Sequence, residues 1–284
     1  MSAPPVLSVR NLSVRFPTAR GVVDAVRGVS FDLGRERVGV VGESGSGKTM
    51  TGRAIMGIAP RAARVEADRL AFMGEDLTRK PPADMQALRG RRISMILQDP
   101  KYSLNPLIPI GDQVAEAYRL HGGCTPAEAR ERALAMLDAV QIRNPARVYR
   151  LLPHEVSGGM GQRVMISMML AGEPDLVIAD EPTSALDVSV EGDVLRILDR
   201  LVEERDLALL FISHDLDLVS RFCDRVLIMY AGRIVEEIAA EDLHRAEHAY
   251  TRGLLASLPR LGAKRAVLPV LDRDPRWRDA GPAP

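Results

Sequence analysis

The chain has 284 residues, above the usual size of one domain, yet a single α/β core with an inserted subdomain and a tail accounts for that length. Hydrophobic residues at 46% and charged residues at 27% are ordinary for a globular protein. Lys plus Arg and Asp plus Glu each total 38, so no net field draws the chain to nucleic acid or to an anionic membrane. Cys124 and Cys223 are too few for a disulfide framework or a zinc cluster. No apolar run reaches the roughly 18 residues of a spanning helix, so any link to a membrane is expected to go through a partner.

The chain opens on an antiparallel β layer. Residues 6–16 and 22–33 alternate apolar and polar side chains and are interrupted by Pro17 and Gly21, which predicts two strands and a turn. Residues 37–41 (RVGVV) are short, β-branched and bounded by glycine, as in a buried strand of a parallel sheet. Directly after them Gly42, Glu43, Ser44, Gly45, Ser46, Gly47, Lys48 and Thr49 spell GESGSGKT and satisfy GxxxxGK[ST]. Its glycines let successive N–H groups turn toward phosphate oxygens. The following helix, entered through Thr49 and Met50, adds the partial positive charge of its amino end. Lys48 is then expected to reach the β and γ phosphates of ATP, and the Thr49 hydroxyl to hold Mg2+. Ile55, Met56 and Ile58 fit a helix core face, with Gly57 and Pro60 as its stop.

Residues 93–97 predict another strand, which ends at Gln98. That amide is a candidate for magnesium or the attacking water, though a surface glutamine is the plainer reading of it alone. Pro100, Pro106 and Pro109 then forbid regular helix. From about 111 to 172 the pattern is helical. Thr125 is the expected N-cap and Pro126 the first turn of a helix with Ala133, Leu134, Leu137 and Val140 on one face. Ser157, Gly158 and Gly159 precede a Met- and Leu-rich helix, so their N–H groups form a second anion-binding end. The methionines at 160, 165, 168 and 169 read as adaptable core filler.

Residues 176–179, 208–212 and 226–230 are the remaining predicted strands, with 190–204 a helix between the first two. Strands alternating with helices imply a mostly parallel sheet. The run LVIADEPTSALD delivers Asp180 and Glu181 to the carboxyl end of a buried strand, where α/β sheets bind ligands. Asp180 suits magnesium, and Glu181 is a candidate general base for water. His214 follows the strand LALLFIS and is a candidate donor to a γ-phosphate oxygen; the bland alternative is a strand-end cap. Residues from about 261 are expected to form an extended tail with the lone Trp277.

Taken in order, GESGSGKT, Gln98, VSGGMGQR, LVIADEP, SALD and His214 resemble the nucleotide-binding domain of ABC ATPases over nearly the whole chain. The resemblance implies an α/β P-loop NTPase fold with an N-terminal antiparallel β subdomain, a helical subdomain at about 102–172, an ATPase domain over 1–260 and a tail at 261–284. It also implies that Ser157, Gly158 and Gly159 act on the ATP held by a second subunit, that Asp187 lies in the loop linking the two sites, and that Phe16 stacks on adenine. A strand phenylalanine pointing into the core is the competing reading of Phe16.

QDPKYSLNP, SGGMGQRVMISMML and HAYTRGLLASLP further resemble the peptide and nickel importer branch. That likeness implies a peripheral subunit on the cytoplasmic face of a bacterial inner membrane. Its implied partners are two permease chains, a second ATPase that is a copy or a homologue, and, indirectly, an extracytoplasmic solute-binding protein. Two features depart from the branch. Gly161 stands where relatives carry arginine or glutamine, and no cysteine follows Cys223, so no iron–sulfur cluster is expected. The alternatives are a soluble ABC ATPase acting on nucleic acid or the ribosome, and a regulatory subunit that binds ATP without cleaving it.

Overall fold

A computed structural model describes residues 4–19, 21–184 and 186–257, together with Asp274 and Trp277. The rest of the predicted tail lies outside the described residues. The chain divides into two compact units, one of residues 1–79 and 210–284, the other of residues 80–209.

In the first unit β1 (Leu7–Thr18) pairs antiparallel with β2 (Gly21–Leu33), and Leu7, Val9, Leu12 and Val14 are fully buried, the switch from odd to even positions being made by a register shift between Val9 and Leu12, where Asn11 has positive φ. Pro17 does not end β1. It sits opposite Val22 beside the hairpin turn, where its missing N–H interrupts little of the ladder. β3 (Arg37–Val41) coincides with the predicted buried strand, and α1 (Lys48–Ile55) starts on the last residues of the glycine loop. Ile58 is a correction to the sequence reading. The helix has ended before it, and its side chain is 42% exposed rather than in the core.

Three short strands, β4 (Arg64–Glu66), β5 (Arg69–Phe72) and β6 (Glu75–Asp76), complete the antiparallel sheet on β1 and β5. Their brevity and the full exposure of β4 left no periodic signal in the sequence.

The second unit begins with α2 (Pro82–Leu88) and β7 (Ile93–Ile96). The proline-broken stretch forms one 3-10 turn at Pro100–Tyr102 before α3 (Ile110–Gly122). α4 (Pro126–Ala139) starts as expected, with a reciprocal capping box. The Thr125 N–H donates to the Glu128 carboxylate at 2.9 Å, and the Glu128 N–H donates to the Thr125 hydroxyl. α5 (Pro145–Val148) is a single turn. α6 (Gly158–Leu170) buries Val164, Met165, Ile166 and Leu170, so Met165 fills core space as read, whereas Met160, Met168 and Met169 are only partly buried.

β8 (Leu176–Asp180) pairs parallel with β7 and is wholly buried. α7 (Val188–Glu204) buries Val194, Ile197, Leu198, Leu201 and Val202 at helical spacing.

The division between units falls within β9 (Ala208–Ser213). The chain then forms α8 (Leu216–Phe222), β10 (Arg225–Tyr230), β11 (Arg233–Ala239) and α9 (Ala249–Ser257) in the first unit. β10 pairs parallel with β3 and antiparallel with β11, so the sheet acquires an antiparallel edge. Ala231 and Gly232, both with positive φ, make the two-residue turn between β10 and β11. Cys223 is buried, which pushes its thiol pKa up and fits an inert core residue. Among the described residues no helix is long and apolar enough to cross a membrane.

Candidate functional site

In the first unit the buried strand β3 delivers the chain into the glycine loop, and α1 leaves it. Gly45 and Gly47 both have positive φ, the backbone that lets neighbouring N–H groups converge. A Cβ on Gly47 would lie 2.4 Å from the Ala25 carbonyl oxygen, so only glycine fits there. Lys48 is 5% exposed, and its Nζ donates to the carbonyls of Gly42 at 2.8 Å and Glu43 at 3.1 Å. The ammonium thus bends back over the loop and is satisfied by backbone oxygens. The Ser46 hydroxyl is buried without a hydrogen-bond partner.

Beside the loop lies a cavity of about 500 Å³, lined among others by Asp24, Arg27, Glu43, Ser44 and Tyr230. Phe16 is partly buried and pairs with Val23 across the β1–β2 hairpin. Val22 and Val23 beside it are 64% and 54% exposed, which gives that hairpin an apolar open surface. His214 is exposed just after β9. There the Ser213 hydroxyl accepts the Asp215 N–H, and Asp215 caps α8.

In the second unit β8 ends on Asp180, which is 5% exposed, and Glu181 follows at φ 48°, the left-handed region that non-glycine residues avoid. The Gln98 Nε2 donates to Glu181 Oε2 at 3.3 Å, so two predicted site residues 83 positions apart meet at the ends of β7 and β8. The Ser184 hydroxyl donates to the Glu181 carbonyl, and the Thr183 hydroxyl donates to Glu191 at 2.7 Å, fixing the turn that leads to α7.

Ser157 caps α6, accepting the Met160 N–H, and Gly158 and Gly159 form its first turn. A Cβ on Gly159 would meet Val190 at 2.4 Å, so its absence lets α7, whose N-cap position Asp187 makes no side-chain capping bond, lie against α6. Arg163 reinforces that contact by donating to the Gln141 carbonyl and to Asp193. A second cavity, of about 690 Å³, is lined there by Ser157, Gly159, Met160, Arg163 and Asn144 among others.

The segment after Gln98 packs on the same helix. A Cβ on Gly161 would stand 3.5 Å from Pro100 and 4.0 Å from Leu104, ordinary contact distances, and the residue has helical geometry. Gly161→Ala should therefore stabilise the protein by about 0.5–1 kcal/mol, read as a higher urea midpoint at constant slope. A lower midpoint would mean that Pro100 and Leu104 cannot make room.

The match of residues 26–184 to the ABC transporter family model covers more than half of the chain. The chain belongs to the ABC transporter family of ATPases. The dipeptide transport ATP-binding protein DppD of Bacillus subtilis (strain 168) is 44% identical over 273 residues, 95% of this chain and 82% of its own length. The oligopeptide transport ATP-binding protein OppD of Salmonella typhimurium (strain LT2) is 43% identical over 272 residues, 95% of this chain and 81% of its own. Among solved structures, the ATP-binding cassette MJ0796, a dimer in a post-hydrolysis state with ADP and Pi, superposes with a TM-score of 0.74 at 23% identity over 83% of this chain and 99% of that one. The fold is the ABC-type P-loop NTPase cassette, as expected.

Two further residues that touch this ABC loop carried no site reading in the sequence, Gly232 and Tyr250. The Gly232 N–H donates to the Ser46 carbonyl at 2.9 Å, and the Glu43 N–H donates to the Tyr250 hydroxyl at 3.2 Å. An Ala-Gly turn signal stood at 231–232, but nothing local marks a contact across 207 residues.

Proposed function

We propose that this ABC ATPase powers the import of peptides, or of a related small solute, through separate permease subunits, and does so as one of two paired ATPase chains. What supports the cargo class is the naming of DppD and OppD for dipeptide and oligopeptide transport, at 43–44% identity over 95% of this chain. What supports hydrolysis rather than passive binding is one contact, the Gln98 amide against the Glu181 carboxylate at the end of a buried strand. The nucleic-acid alternative gains nothing from a net charge of +0.

In this reading the N–H groups of residues 45–49 and the Lys48 ammonium hold the β and γ phosphates of ATP, while Phe16, Val22 and Val23 offer the adenine an apolar platform. Thr49, Asp180 and Gln98 bring a hydroxyl, a carboxylate and an amide oxygen, the hard donors that magnesium prefers, and Gln98 leaves its Oε1 for that role while Nε2 faces Glu181. Magnesium, when bound there, neutralises phosphate charge. Glu181 takes a proton from the water whose oxygen bonds to the γ phosphorus as the bond to the β–γ bridging oxygen breaks. His214 donates to a γ-phosphate oxygen. Ser157, Gly158 and Gly159 of the facing subunit close on the same phosphate, and Asp187 lies in the loop between the sites. The chain then works as a peripheral subunit on the cytoplasmic face of the inner membrane.

Co-purification of the tagged chain from its native membranes, with partners identified by mass spectrometry, tests this reading. The expected result is two permeases, a second ATPase and a solute-binding protein, with ATP-dependent peptide uptake lost in Lys48→Ala. Recovery with ribosomes or nucleic acid and no membrane protein would overturn it.

A further inference from the structure

Two hydrogen bonds reach the phosphate loop from parts of the chain outside every nucleotide-binding motif. One comes from the β10–β11 turn, where the Gly232 N–H holds the Ser46 carbonyl. The other comes from α9, where the Tyr250 hydroxyl receives the Glu43 N–H. Tyr250 is 0% exposed and the bond is part-buried, so an N–H left there without its acceptor loses stabilisation.

Tyr250 is itself held on several sides. Its N–H donates to His248 Nδ1 at 3.2 Å, and its ring lies 4.6 Å from that of Tyr230, which lines the cavity beside the loop. The ring of Trp277 stands 6.0 Å from Tyr230, Tyr250 and His248 alike. Edge-on aromatic contacts of this kind favour one arrangement of the rings over others.

A loop that binds phosphate through several N–H groups at once depends on all of them pointing inward before ATP arrives. Glu43 is the second residue of that loop, and freedom there passes to every N–H after it. We propose that Tyr250 is a positioning residue for the phosphate loop, and that the aromatic cluster reaching Trp277 couples the C-terminal segment to ATP binding. By linkage the coupling runs both ways. ATP tightens the packing of Trp277, and loss of the cluster weakens ATP.

The full-length chain carrying Tyr250→Phe keeps the ring and loses the hydroxyl. Its affinity for MgATP, measured by calorimetry on the folded protein, should be about 3- to 10-fold weaker, with the same rise in KM, an unchanged kcat and only a small fall in the melting temperature of the nucleotide-free protein. Unchanged affinity overturns the proposal. So does a variant whose melting temperature falls while the affinity of its folded fraction stays at the wild-type value, because Tyr250 would then serve packing alone.

Trp277 is the only tryptophan, so the wild-type protein offers a readout that needs no variant. Its emission should change over the same MgATP concentrations that saturate the calorimetric signal, and flat emission through saturation would refute the coupling. The inference rests on the assignment of residues 42–49 to ATP, and Lys48→Ala separates the two failures. Wild-type affinity in Lys48→Ala would remove that assignment. Weakened affinity there, with wild-type affinity in Tyr250→Phe, removes the positioning role alone.

Discussion

Lys48→Ala should lower ATP hydrolysis by roughly 10²- to 10³-fold and weaken ATP binding with it, the scale expected when a preorganised group facing developing charge is removed. The ammonium is buried and lies against two carbonyl oxygens of its own loop, Gly42 and Glu43. In the proposed mechanism those bonds are exchanged for phosphate oxygens as ATP enters, by a charge that is already largely desolvated. Alanine removes the charge and leaves the two carbonyls to water. A steady-state ATPase assay with a fluorescent-nucleotide titration reads both losses, and circular dichroism verifies the fold. Hydrolysis at the wild-type rate would take residues 42–49 out of the reaction.

Glu181→Gln should slow hydrolysis by roughly 10²- to 10⁴-fold, the usual contribution of a positioned general base, while ATP still binds. Glutamine keeps the shape of the side chain and can still meet Gln98, so the lesion is confined to proton acceptance. Uncleaved ATP then holds the paired subunits together, and the variant should elute as a dimer on size exclusion with MgATP where the wild type does not persist as one. Wild-type turnover would return Glu181 to the role of an acidic cap at the end of β8.

The parts of this site that were legible in the sequence are those whose chemistry is contiguous. GESGSGKT carries its own strand before it and helix after it, and the observed β3 and α1 stand where those were expected. Thr125 with Glu128 is another local device, and the capping box formed as the spacing implies. Ile58 failed because apolar spacing was carried past Gly57, where the chain had already left the helix. β4 to β6 failed for a different reason. Strands of two to four residues, exposed on β4 and β6, have no hydrophobic face to advertise them.

Contacts at long sequence separation were the least accessible. Gln98 could be named, but that it faces Glu181 could not, since nothing at position 98 encodes position 181. Tyr250 stood in the sequence only within HAYTRGLLASLP, a stretch resembling the importer branch, with no role of its own. Its hydroxyl acquires meaning only once β10 and β11 bring that end of the chain under the phosphate loop.

The backbone of Glu181 carries a consequence for how this sequence is kept. Left-handed geometry costs a residue with a Cβ on the order of 1–3 kcal/mol, and glycine or asparagine would relieve most of it. Selection for thermal robustness alone would therefore erode the carboxylate. On the proposed role of Glu181 as general base, durability and turnover pull in opposite directions at this residue, and a stabilising screen blind to activity would favour variants that bind ATP without cleaving it.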